Sequence, residues 1–137
     1  MNIAEQDQKL KEVLTPGAVV AVVGLSDKPE RASYRVAQFL QEQNYKIIPV
    51  NPTLKEVLGE KAYATLQEVP VAIDIVDVFR RSEETPAIAQ SAVEVRAKVL
   101  WLQEGIYNEQ AEAIASAGGL QVVMDRCLLK EVQRLNP

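Results

Sequence analysis

Residues 19–33, VVAVVGLSDKPERAS, decide the fold. The apolar run Val19 to Val23 is unbroken and almost wholly β-branched, the pattern of a strand buried on both faces. It empties at Gly24 into the polar turn Leu25-Ser26-Asp27-Lys28-Pro29-Glu30-Arg31-Ala32-Ser33. A turn of this kind leads into a helix whose first backbone N–H groups are unpaired, and there an α/β domain places an anionic group of a nucleotide.

Working outward, Ala4, Leu10, Val13 and Leu14 lie among charged neighbours, and Thr15-Pro16-Gly17 stops them, which predicts a short amphipathic helix over 4–14. Downstream, Ser33 reads as an N-cap, and Val36, Ala37, Phe39 and Leu40 form the apolar face of a helix reaching about Gln43. Residues 45–50 read as a second strand whose Pro49 marks an edge or a bulge, and Asn51-Pro52 ends it. From 53 to 70 the pattern predicts a helical turn over 54–58 capped by Gly59, and another near 65–68. A third strand covers 72–79, with Arg80-Arg81-Ser82 at its carboxyl end, and a helix over 84–96 takes Pro86 in its first turn. The fourth strand, 98–102, ends at Gln103-Glu104-Gly105; a helix over 108–117 stops at Gly118-Gly119; a fifth strand, 121–124, precedes a closing helix over 128–135.

Five apolar strands alternating with helices imply a Rossmann-like, doubly wound α/β fold, with a mainly parallel five-stranded sheet and helices on both faces. The expected organisation is a single domain, 1–137, with an N-terminal helix within 1–15 and a C-terminal helix within 128–137 packed on it. At 137 residues the chain holds one core of ordinary size. Its net charge of −4 counts against a broad nucleic-acid surface. A single cysteine and no basic or apolar leader point to a reducing, cytoplasmic setting away from membranes. No histidine is present, which excludes a Ser-His-Asp triad, a histidine-liganded zinc and a phosphohistidine intermediate.

In a doubly wound sheet the ligand lies outside the carboxyl ends of the strands, where the strand order reverses. The polar strand ends at Gly24 to Ser33, Asn51-Pro52, Phe79-Arg80-Arg81 and Gln103-Glu104-Gly105 are expected on that edge. A dinucleotide fingerprint requires GxGxxG and an acidic residue after the second strand; the loop has one glycine and the strand ends in Asn51-Pro52. A P-loop is absent as well. The Ser26 hydroxyl, the cations Lys28 and Arg31, the helix start at Ser33 and the planar donor Arg80 suit a pyrophosphate or phosphomonoester. Taken singly, Lys28 and Arg31 read equally well as solvated loop charges.

The segments AVVGLSDKPERASYRVAQFL, YKIIPVNP, GEKAY, VDVFRR, VLWLQEGI and VVMDRC, in this order across roughly 13–134, resemble the small stand-alone CoA-binding proteins. Their domain is similar to the N-terminal domain of the succinyl-CoA synthetase α subunit. The resemblance implies a Rossmann-like fold that binds coenzyme A or an acyl-CoA. Gly24, Ser26 and Lys28 would lie along the pyrophosphate and pantetheine path, with Arg31 and Ser33 supporting the loop. Asn51 and Pro52 would shape the adjoining wall, Phe79 and Arg80 the adenine end, and Gln103 would sit nearby. Leu25 stands where the family commonly has a small residue and is expected to narrow the loop, and Leu128-Leu129 is less polar than the usual continuation. Ligase activity does not carry over, because the chain has no histidine and no second domain.

The expected function is therefore a non-catalytic binding or regulatory domain for CoA, its protein partner unknown; the alternative is a CoA-dependent acyl or thiol exchange enzyme using Cys127. Arg126 beside Cys127 favours a thiolate and Asp125 opposes it. A lone cysteine next to an apolar strand reads more readily as a small buried side chain, with Asp125 and Arg126 as a structural ion pair. Trp101 reads as core. Asp74 and Asp77, three apart in a strand, face opposite sides and make no carboxylate pair.

Overall fold

A computed structural model describes residues 2–136; Met1 and Pro137, the ends of the expected domain, lie outside the described residues. Five parallel strands, β1 (Val19–Val23), β2 (Lys46–Val50), β5 (Ile75–Val78), β6 (Val99–Leu102) and β7 (Gln121–Val123), form one sheet in the order β2-β1-β5-β6-β7. The chain leaves β1 toward one edge, to β2, and then crosses back to β5 on the other side of β1. The order therefore reverses between β1 and β5, where loops depart in opposite directions and leave a crevice.

The largely apolar runs follow from two-sided burial, because successive strand residues point to opposite faces and both faces are covered. Val20, Val22, Ile75, Val99 and Trp101 pack beneath α1 (Ile3–Val13), α2 (Ala32–Glu42) and α5 (Leu128–Leu135). Their neighbours Ala21, Val76, Val78, Leu100 and Leu102 pack beneath α3 (Thr85–Glu94) and α4 (Glu109–Ala117). On that second face the helices present the small side chains Ala89, Ala92, Ala111 and Ala115, all fully buried, which lets α3 and α4 lie close to the sheet and to each other. On the first face Trp101 is fully buried as expected and donates its indole N–H to the Arg126 carbonyl at 2.8 Å.

Helix ends follow local chemistry. Asn108 caps α4 by accepting from the Ala111 N–H at 2.9 Å, and Pro86 sits in the first turn of α3 after a 3-10 turn over Ser82–Glu84. Pro49 is tolerated because β2 is the edge strand. Arg134 of α5 forks onto both Asp7 carboxylate oxygens at 2.9 and 3.0 Å, tying the last helix to the first. Asp74 precedes β5 and is occupied, accepting from the Val19 N–H at 2.8 Å and pairing with Lys98 at 3.1 Å.

Three local expectations are corrected. Residues 54–58 are not a helical turn capped by Gly59. They enter a small antiparallel hairpin, β3 (Glu56–Val57) and β4 (Glu60–Lys61), with Leu58 and Gly59 at φ of 53° and 77° forming the two-residue turn. A tertiary bond from the Gln41 side chain to the Leu58 carbonyl, at 3.0 Å, holds that turn. Ser33 is not the N-cap of α2: Arg31 occupies that position without a side-chain cap, and Ser33 lies inside the first turn. Asp125 does not pair with Arg126; its carboxylate accepts from the Gly105 N–H at 2.7 Å, fastening β7's exit to the loop after β6. Among the described residues no helix is long and apolar enough to cross a membrane.

Candidate functional site

The reversal between β1 and β5 opens into a cleft of about 610 Å³ at the carboxyl edge of the sheet. Its floor and one wall come from the loop after β1, through Gly24, Ser26, Arg31 and Ser33; the facing side comes from Phe79 and Arg80 after β5. Two residues of the loop after β6, Gly105 and Ile106, close the far end. Gly24 and Phe79, 55 positions apart in the chain, thus meet because β1 and β5 are neighbours in the sheet.

The first loop is held in shape by its own small polar groups. The Ser33 hydroxyl, buried inside α2, accepts from the Ser26 N–H at 3.0 Å, so it folds the loop back onto the helix that follows. Ser26 in turn accepts from the Lys28 N–H at 3.1 Å, and the Arg31 N–H bonds the Lys28 carbonyl at 3.0 Å. Leu25 does not narrow the loop: its side chain is fully buried in the core beneath α2 and α5 and anchors the loop from below. Residue 24 has no room for a side chain, because the backbone of Phe79 packs against it.

Arginine outnumbers carboxylate on the cleft, where Arg31, Arg80 and Arg81 stand against Glu83. Lys28 and Arg31 are exposed and Arg80 is half-buried, and none of the three has a carboxylate within salt-bridge distance among the described residues. Arg81, by contrast, is occupied by Glu83 and Glu84 at 3.5 and 3.6 Å. The α2 N-terminus, with Ala32 and Ser33 on the cleft, carries no acidic residue in its first turn. Unpaired cations and an uncapped helix start facing one crevice favour a polyanion.

The structure brings Gly24, Ser26, Arg31, Ser33, Phe79 and Arg80 together on the cleft. Lys28, Asn51, Pro52 and Gln103 are not among its lining residues. Asn51 stitches two loops: its side-chain N–H donates to the Leu25 carbonyl and its oxygen accepts from Thr53, both backbone contacts at 3.0 Å. Gln103 turns inward and donates to the Asp77 carboxylate. Cys127 is half-buried at the N-cap of α5, packed against the core and away from the cleft lining. Sequence reasoning placed Gly105 on the ligand edge but did not single out Ser82, Glu83 and Ile106; their signal was their position just after strand ends, in FRRSE and QEGI.

A family model described as CoA binding domain matches residues 18–133, which contain every element of the sheet and the cleft. The chain belongs to this family. The uncharacterized protein YneT of Bacillus subtilis (strain 168) is 47% identical over 120 residues, covering 88% of this chain and 89% of that protein. The solved structure of a hypothetical protein from Pyrococcus horikoshii OT3 superposes with a TM-score of 0.91 at 38% identity, covering 96% of this chain and 92% of the other. The α subunit of an ADP-forming acetate–CoA ligase II from Pyrococcus furiosus is 40% identical over 57 residues, 41% of this chain but 12% of the subunit. The chain is thus similar over most of its length to a protein of about its own size, and over a shorter stretch to a small part of a much larger ligase subunit.

Proposed function

We propose that the chain binds coenzyme A or an acyl-CoA across the cleft and holds it without transforming it. The observation that carries this reading is the meeting of Gly24, Arg31 and Arg80 on one crevice in a chain of the CoA-binding family, with no neutralising carboxylate on either arginine among the described residues. A phosphate of the ligand fits over Gly24, where backbone replaces a side chain, with the α2 N-terminus and Arg31 as donors and Arg80 opposite. Lys28, exposed on the same loop, adds charge at the rim. Asn51 and Pro52 bound the site indirectly, through the bond from Asn51 to the Leu25 carbonyl.

A dinucleotide is disfavoured by the same geometry. A carboxylate at the end of β2 would grip the ribose hydroxyls of NAD; here the side chain is an amide already engaged by Leu25 and Thr53. The chain has no histidine, Cys127 lies off the cleft, and the carboxylate that lines it, Glu83, is paired with Arg81 at 3.5 Å.

Titration calorimetry of the full chain with CoA, dephospho-CoA, NAD and ATP tests this. CoA is expected to bind most tightly, and at about 100 times its Kd to raise stability by roughly 2.7 kcal/mol. No heat and no thermal shift with millimolar CoA would overturn it.

A further inference from the structure

We propose that the buried Asp77 carboxyl and the Gln103 carboxamide form a proton-sensitive prop beneath the cleft, so that the wall made by Gly105 and Ile106 moves with the protonation of Asp77. Asp77 lies in β5, in register between Val22 of β1 and Trp101 of β6, and is fully buried. Two residues further along each strand stand Gly24 and Phe79, on the cleft itself. One carboxylate oxygen accepts from the Gln103 side chain; the other has no partner. A buried carboxylate satisfied by one neutral hydrogen bond is strongly disfavoured, while the neutral acid is tolerated there. Burial accordingly pushes Asp77 up to about 7, with the Gln103 bond opposing.

Among the described residues no charged group pairs with Asp77 as an alternative partner. Val22 and Trp101 flank Asp77 within the sheet, and the buried cluster on that face, including the α2 and α5 contributions, is apolar; its titratable members or neighbours are Tyr34, Tyr45 and Cys127. No charged side chain is among the influences on the Asp77 carboxyl, which are burial and Gln103. The indole N–H of Trp101, the register neighbour of Asp77 on β6, is committed to the Arg126 carbonyl.

When Asp77 ionises, the second donor it lacks must come from water or from the turn that carries Gln103. That turn is also the cleft wall: the Gln103 N–H bonds the Val78 carbonyl at a long 3.3 Å, and the Ile106 N–H bonds the Gln103 carbonyl at 2.9 Å. A shift of Gln103 toward the carboxylate therefore draws Ile106 with it, while Asp125 restrains Gly105 from the other side. If the cleft holds CoA, as proposed above, a negative charge beneath it and a displaced wall both weaken binding, and by linkage CoA binding takes up a proton.

The test follows the backbone amide resonances of Gly105 and Ile106 in the full chain from about pH 5.5 to about pH 8.5, in the native sequence and in Asp77→Asn. Both amides are expected to share one step near neutrality that vanishes in the variant. The carbon resonance of the Asp77 carboxyl in the unmodified protein must show the same midpoint, and it decides the matter should the variant not fold. Ionisation of Asp77 in the ordinary carboxylate range, or amide titrations unchanged by Asp77→Asn, would overturn the prop. In calorimetry, CoA affinity is expected to fall by roughly fivefold from about pH 6 to about pH 8 relative to Asp77→Asn, a comparison that cancels ionisation of the ligand itself. Parallel affinity profiles overturn the link to the ligand. CoA that binds at no pH sinks the CoA reading alone, since the amide titration needs no ligand.

Discussion

The carbonyl oxygen of Phe79 lies 2.5 Å from the point where a Cβ on residue 24 would stand, and Gly24 itself has a φ of 86°. Two adjacent strands therefore leave the sheet in contact at the backbone, with space above them for a phosphate. Gly24→Ala is expected to cost on the order of 2 kcal/mol or more, from backbone strain and the clash together, and to weaken CoA binding. Gly17→Ala supplies the comparison, because Gly17 has a φ of 93° but nothing within 4 Å of an added Cβ. Denaturant unfolding of the two variants should show the larger loss at position 24; equal losses would mean that the close approach to Phe79 has no energetic weight.

Charge reversal separates ligand contacts from solvated loop charges. Arg80→Glu, at the half-buried position on the cleft, is expected to weaken CoA binding by about tenfold or more; Lys28→Glu, exposed at the rim, should cost less. Both losses should shrink as salt is raised, the Lys28 loss more completely. Calorimetry at two ionic strengths reads this directly, and an Arg80→Glu protein that binds CoA normally would remove the β5 loop from the site.

Stability should fall with rising pH on account of Asp77. Its carboxyl is pushed from 3.8 in the unfolded chain to about 7 in the native one, so the native state holds the proton more tightly. That contribution is fully present below the unfolded value, and is lost as pH climbs through about 7. Asp77→Asn removes the decline: unfolding measured across the range should show the variant gaining on the native sequence, by about 3 kcal/mol between pH 4 and pH 7. A constant difference across that range would show that Asp77 does not carry it.

Leu25 gives opposite outcomes for an anchoring and a narrowing side chain. Being fully buried in the core, Leu25→Ala should destabilise the domain by roughly 2–5 kcal/mol and loosen the loop, lowering CoA affinity. Stability held constant with improved binding would mean that the side chain obstructs the cleft.

Cys127→Ser is expected to leave CoA affinity within about twofold of the native value, because the thiol packs against the core and does not line the cleft. Mass spectrometry after incubation with CoA disulfide or an acyl-CoA should find no adduct at Cys127. A stoichiometric adduct would restore the exchange enzyme as the better reading.

The sequence alone determined the α/β class and the number and spacing of the sheet strands, because burial on both faces demands largely apolar runs and each run here is set off by helix and turn chemistry. It also determined the chemistry of the first loop, since one glycine, two serines and two cations are local facts. Tertiary structure decided which strand ends meet. The order β2-β1-β5-β6-β7 sets Arg80 opposite Gly24 and leaves Asn51 and Gln103 off the cleft, and strand pairing is a long-range choice that local periodicity does not encode. The hairpin at Glu56–Lys61 escaped for a related reason: its residues have weak strand character, and the bond from Gln41 selects the turn. Asp77 shows the limit most sharply. A carboxylate in an apolar run reads alike whether it ends in water or in the core, and only the packing of α2 and α5 over that face of the sheet left it buried with one partner.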